Sequence, residues 1–100
     1  MKDTAKLKKH LQNYIDIVAQ PRINKEISSE PLTLTVHDIL WGTYKPQILH
    51  IFIDIEPESG KSHKWQIEKI LQQFINMFAI ENKVKFHWNK RPNVKKVMEI

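Results

Sequence analysis

The stretch Ile48-Leu49-His50-Ile51-Phe52-Ile53-Asp54-Ile55 decides the fold, because it is apolar at nearly every position and sets Leu49, Ile51, Ile53 and Ile55 on one face at a period of two. It reads as the central strand of a sheet. On its N-terminal side, Leu32, Leu34 and Val36 alternate with Thr33, Thr35 and His37, which predicts a neighbouring strand with β-branched residues facing outward. After His37 the apolar positions move to Ile39 and Trp41, so either both faces of this strand are partly covered or a bulge resets the phase. Gly42 to Pro46 supplies the turn chemistry between the two strands.

Helical periods flank this hairpin. Leu7, Leu11, Ile15 and Val18 line one face of a helix over Lys6 to Ala19, with Asp3 or Thr4 to cap its start and Pro21 to stop it. Residues 21–31 are bounded by prolines, carry no clear period and read as a loop. Beyond the hairpin, residues 56–62 form a loop in which Ser59 or Ser62 is placed to cap the second helix. That helix, over Trp65 to Ile80, carries Ile67, Ile70, Leu71, Phe74, Met77 and Phe78 as a wide apolar stripe. Asn82 is suited to the left-handed conformation that ends a helix, and Val84, Phe86 and Trp88 alternate with Lys85 and His87 as a third strand that Pro92 closes. The order helix-strand-strand-helix-strand predicts one α+β domain over residues 1–100, with residues 92–100 as a basic tail to which the sequence assigns no conformation. Its three-stranded sheet has both helices packed on one face, the first two strands antiparallel and the last joining through a helical crossover. The other sheet face is then open to solvent or to a partner.

Composition narrows the function classes. Apolar residues make up 41% of the 100-residue chain, enough for one core and one cooperative unit. The absence of cysteine removes disulfides, thiolate metal sites and cysteine nucleophiles together. The charged N-terminal stretch has no signal-peptide character, and no apolar run approaches the roughly 18 residues of a membrane span, so a cytoplasmic protein without membrane attachment is expected. The net charge of +5 is unevenly spread: residues 1–26 carry +3, residues 27–60 carry −4 and residues 61–100 carry +6. Such a charge dipole steers association with a partner of matching sign.

No catalytic motif emerges, and a non-enzyme is expected. If the hairpin pairs Trp41 with Gln47, Asp38 falls opposite His50, a carboxylate-imidazole arrangement of general-base type, but with no nucleophile or second acid fixed by the sequence an edge-of-sheet polar pair with a structural role is the favoured reading. The five histidines, at positions 10, 37, 50, 63 and 87, show no i, i+3 or i+4 spacing, and neither a metal nor another cofactor is expected. Asp54, Glu56 and Glu58 form an acidic cluster at the end of the central strand. Gly60-Lys61-Ser62 has the ending of a phosphate-binding loop, but Ile55 stands where GxxxxGK[ST] needs its first glycine.

These residues support two readings. In the first, the chain is a small binding protein that covers a partner protein, as inhibitors and toxin-neutralising immunity proteins do. The acidic surface of Asp54, Glu56 and Glu58 and the aromatic residues Trp41 and Tyr44 would meet a basic target, with His37 and Trp65 as further exposed candidates. In the second, the basic residues Lys83, Lys85, Lys90, Arg91, Lys95 and Lys96, interleaved with aromatic ones, contact the phosphates of RNA. Only two of the sixteen cationic residues are arginine, and Phe86 and Trp88 share the face of Val84, which assigns them to the core. The element order, with Pro21, Arg22 and Ile23 ahead of a strand reading Leu32 to Asp38, resembles the KH-type fold of ribosome-binding factor A over about the first half of the chain. The second reading is accordingly a KH-like, ribosome-associated domain. The GxxG loop of ordinary KH domains is absent, and Met77, Phe78, Ala79 and Ile80 stand where that family interrupts its helix with small residues. A free edge strand or open sheet face also suits a homodimer.

Overall fold

β1 (Thr33–Trp41) and β2 (Ile48–Glu56) pair antiparallel, and β3 (Lys83–Trp88) joins β2 in parallel, so the mixed sheet runs β1-β2-β3 with β2 at its centre. The structure, a computed structural model, describes residues 4–27, 31–43, 47–78 and 80–93. Tyr44, Lys95, Lys96 and most of the basic tail lie outside the described residues. The sheet carries its helices on one face, where Leu49, Ile51, Ile53 and Ile55 of β2 are buried with Leu34, Val36 and Ile39 of β1. The α+β architecture follows the element order read from the sequence, and α3 (Lys64–Met77) provides the crossover between the parallel strands.

The hairpin carries the bulge, between Val36 and Asp38, and it moves Ile39 and Trp41 back to the helix side. Asp38 supports it by accepting the Ile39 N–H at 2.8 Å. From Asp38 to Trp41 the strand register departs from the expected one by two residues: Trp41 faces Leu49, Leu40 faces His50 and Asp38 faces Phe52, while before the bulge Val36 faces Ile53, one residue from the expected Phe52. Gly42 closes the ladder by donating to the Ile48 carbonyl at 2.9 Å, so the connection is residues 43–47, displaced by one position from the assumed 42–46. A slip of two keeps the side chains of residues 38–41 on their faces while changing their partners. The Asp38–His50 pair is therefore corrected: the two are not cross-strand neighbours.

The first helix also departs from expectation, because Pro21 does not stop it. α1 (Thr4–Tyr14) passes through a π turn (Ile15–Ala19) into α2 (Gln20–Glu26), with Pro21 in the first turn of α2. In the π turn the Gln20 N–H reaches back to the Ile15 carbonyl. The widened turn admits proline where a continuous α-helix would lose a bond and clash. The phase slips as well, so Ala19 is buried and Val18, assigned to the apolar face by its spacing, is exposed beside Ile17.

The same slip aligns three amide side chains along the outer edge of β1. Gln12 accepts the Val36 N–H at 2.8 Å and donates to the Leu34 carbonyl at 3.4 Å. Gln20 accepts the Leu34 N–H at 3.2 Å and donates to the Leu32 carbonyl, and Asn24 accepts the Leu32 N–H at 3.2 Å. In an uninterrupted α-helix, residues 12 and 20 would differ by about 80° around the axis. These amides stand where the backbone of a further strand would, closing an edge that would otherwise invite pairing with another chain.

Two smaller corrections concern turns. Asn82 is not left-handed; that conformation belongs to Asn89, with φ of 56°, which ends β3. Its N–H donates to the Ile53 carbonyl at 2.8 Å, and its side-chain amide accepts the Ile55 N–H at 2.5 Å and donates to the Ile55 carbonyl at 3.2 Å, extending the ladder on β2. Ser59 and Ser62 do not cap α3 but lie in a 3-10 turn (Glu58–His63), where the Ser62 hydroxyl donates to the Ser59 carbonyl at 3.0 Å. Within that turn Gly60 is buried so closely that a Cβ would come within 2.6 Å of Ile55 Cγ2 and 2.8 Å of Leu32 Cδ2. Gly60→Ala is expected to lower stability by about 1–3 kcal/mol through overpacking, read as a lower urea midpoint with an unchanged slope.

Candidate nucleic-acid interface

Parallel pairing of β2 and β3 carries both strands toward the same end of the sheet, with Trp88 beside Ile53. The segment after β3 therefore runs next to the turn after β2, and this meeting of two loops builds a groove. It encloses about 660 Å³ and is lined by Phe52, Lys61, Lys64, Lys85, Phe86, His87, Trp88, Lys90, Arg91 and Asn93. Five of these carry fixed positive charge, and among the described residues no carboxylate lines it. Lys61 comes from the 3-10 turn and Lys64 opens α3, while Lys85 and His87 come from one face of β3 and Lys90 and Arg91 follow the left-handed turn at Asn89.

The cations are not equivalent. Arg91 Nη1 donates to Asp54 Oδ2 at 3.0 Å and lies 2.7 Å from His37 Nδ1. Lys61 Nζ lies 3.5 Å from Glu58 Oε1. Among the described residues, no carboxylate is within ion-pair distance of Lys64, Lys85 or Lys90, which are all exposed. A groove whose cations are solvated and only partly compensated attracts polyanions, most strongly at low salt.

The residues named from sequence separate accordingly. Lys85, Lys90 and Arg91 meet in the groove, whereas exposed Lys83 at the other end of β3 does not line it. The acidic trio does not make a bare negative face, because Asp54 is tied to Arg91 and Glu58 to Lys61, leaving Glu56 exposed beside them. Trp41 is half-buried against the core with its indole nitrogen enclosed, which corrects its reading as an exposed anchor. His37 is half-buried at the bulge and meets Arg91. Trp88 is buried and donates its indole N–H to Glu68 Oε1 at 3.0 Å, and half-buried Phe86 stacks beside it at 5.7 Å, as their shared face with Val84 implies.

Two features were not apparent in the sequence. Lys61 and Lys64 stand about twenty residues before β3; the available signal is the parallel crossover, which brings the loops after both strands together. The second is a histidine pair on the sheet face away from the helices. His50 Nδ1 lies 2.9 Å from His87 Nε2, and the His87 ring stacks on Phe52 at 4.4 Å. His50 and Phe52 are both buried, so the centre of this face is closed rather than open. His50 Nε2 is buried without a hydrogen-bond partner among the described residues. An enclosed lone pair costs less than an enclosed N–H, which favours the tautomer in which Nδ1 donates to His87. Among the described residues, no group of three or more histidine, cysteine, aspartate or glutamate side chains is placed to hold a metal ion.

Burial, and secondarily the charge of Lys85, lowers the His50 pKa below the ordinary value of 6.5. The folded protein thus keeps His50 neutral where the unfolded chain would take up a proton. Its contribution to stability is complete above about pH 6.5 and declines as pH falls from there toward the lowered value. The urea midpoint of the wild type is expected to drop between about pH 7.5 and pH 5.5. In His50→Gln the drop is expected to be smaller; an equal drop in both proteins would assign it to other groups.

Compared with known proteins, the chain matches no family model, no curated protein and no solved structure. No helix among the described residues is long and apolar enough to cross a membrane.

Proposed function

We propose that this chain is a small RNA-binding protein that holds an anionic strand in the groove beside β3 and carries out no chemistry on it. The observation that carries the reading is the composition of that groove: five lysine or arginine side chains, exposed parts of Phe86 and His87, and no lining carboxylate among the described residues. Phosphate contacts supply affinity without base preference, and a lysine-rich site suits that role because each ammonium acts as a point charge. The alternative of a basic protein partner has less support, since Asp54 and Glu58 are engaged by the groove's own cations and Trp41 is turned toward the core.

The test is fluorescence anisotropy with a labelled single-stranded RNA of roughly ten nucleotides, a length within the range of single-strand sites. The affinity of the full chain is expected to fall steeply between about 50 and 200 mM salt. Binding that is absent at low salt, or indifferent to salt, would remove the reading.

A further inference from the structure

Trp65 is 70% exposed, whereas Trp88 is 7% exposed and Trp41 half-buried, so one of the three tryptophans presents its ring to solvent. It stands in the first turn of α3, directly after Lys64. Lys64 Nζ lies 5.8 Å from the centroid of the Trp65 ring, and Lys64 also lines the basic groove. The exposed ring and the phosphate-attracting groove therefore share one cation. An exposed indole contributes nothing to the core, and every nucleic-acid base has a face that can stack on it. Lys64 lines the groove and its Nζ is 5.8 Å from the ring centroid, so a strand whose phosphate is held at Lys64 has the indole within reach of an adjoining base.

We infer that Trp65 is a base-stacking platform that extends the groove, and that the ligand is a nucleic-acid strand with unpaired bases. The inference rests on the RNA-binding reading and adds to it a preference that cations alone do not give. In a duplex the bases stack on one another and their faces are closed to the indole. A single strand can splay a base onto Trp65 while its phosphates remain on Lys61, Lys64, Lys85 and Lys90.

The test compares a uridine-rich single strand of roughly ten nucleotides with the same strand annealed to its complement, against wild type, Trp65→Ala and Trp65→Tyr. The single strand is expected to quench tryptophan fluorescence in the wild type and to bind more tightly than the duplex. Trp65→Ala is expected to bind the single strand about tenfold more weakly with an unchanged salt slope, as loss of one stacked base implies. Trp65→Tyr, which keeps an aromatic face, is expected to recover most of that loss. The exposure of Trp65 predicts that both variants fold normally, which circular dichroism checks. Salt-dependent binding that is equal for single strand and duplex, or unchanged in Trp65→Ala, would overturn the inference and leave the groove reading standing. Absence of salt-dependent binding in the wild type would overturn both.

Discussion

Gln20→Met is expected to lower the stability of this protein by about 3 kcal/mol, far beyond the roughly 0.5 kcal/mol typical of surface substitutions. Methionine matches glutamine in length and helix propensity, so the change removes the amide and little else. The groups it leaves behind are the Leu34 N–H and the Leu32 carbonyl, which Gln20 serves from the helix side. Both lie on the β1 edge beneath α2, and a backbone group left unpaired there carries its desolvation cost without return. Combining Gln20→Met with Gln12→Met uncovers the Val36 N–H and the Leu34 carbonyl too, and is expected to make the protein self-associate through β1 more than the wild type does. Urea unfolding gives the first quantity and sedimentation velocity the second. A single variant as stable as the wild type would mean that the edge is satisfied by other groups.

The second large effect concerns binding. Lys64→Ala, Lys85→Ala and Lys90→Ala together remove the groove cations that have no carboxylate beside them among the described residues. All three are exposed, so the fold is expected to persist with its urea midpoint little changed. Each single-strand phosphate contact contributes about 0.7 to the slope of log K against log salt, so the triple variant is expected to lose about 2 from that slope. Its affinity for single-stranded RNA at low salt is expected to fall about a hundredfold. Lys25→Ala, with Lys25 exposed in α2 and outside the groove, is expected to leave both quantities unchanged. An equal loss in Lys25→Ala would reduce the effect to net charge, with no site involved.

The element order and most of the buried faces were legible in the sequence because they depend on period; the exceptions are Val18, Met77 and Phe78, which are exposed, and Ile75, which is buried in α3 without having been counted in its stripe. Leu49, Ile51, Ile53 and Ile55 alternate, and Ile67, Ile70, Leu71 and Phe74 recur at helical spacing, whatever the rest of the chain does. The break in phase around His37 was legible for the same reason, and of its two explanations the structure has the bulge, between Val36 and Asp38. The strand register was not, because it depends on where the connection begins, at residue 43 and not 42, and composition constrains the presence of a turn better than its position. That single uncertainty produced the Asp38–His50 pair, which a displacement of two residues dissolves. The π turn was equally hidden. Residues 21–31 show no clear period in the sequence, and the ordinary reading of Pro21 at their start is a helix end.

The site was legible in part. Lys85, Lys90 and Arg91 stand out as a run, but their meaning depends on neighbours brought in by the crossover: Lys61 and Lys64 add charge, and Asp54 takes up that of Arg91. The same tertiary pairing turned the acidic cluster from a candidate surface into partners of the groove's cations. Charge balance at this end of the sheet is a property of the loops meeting there, and the segment totals of +3, −4 and +6 do not describe it.

The most direct measurement is a titration of the isotopically labelled protein with single-stranded RNA, followed by backbone and side-chain NMR shifts at low salt. The largest changes are expected at Lys61, Lys64, Trp65, Lys85, His87, Lys90 and Arg91, with Lys9, Asn13 and Lys25 on the opposite helices unmoved. Saturable changes concentrated on the α1 and α2 surface, or no change at any concentration where salt-sensitive binding should saturate, would contradict the groove as the site of binding.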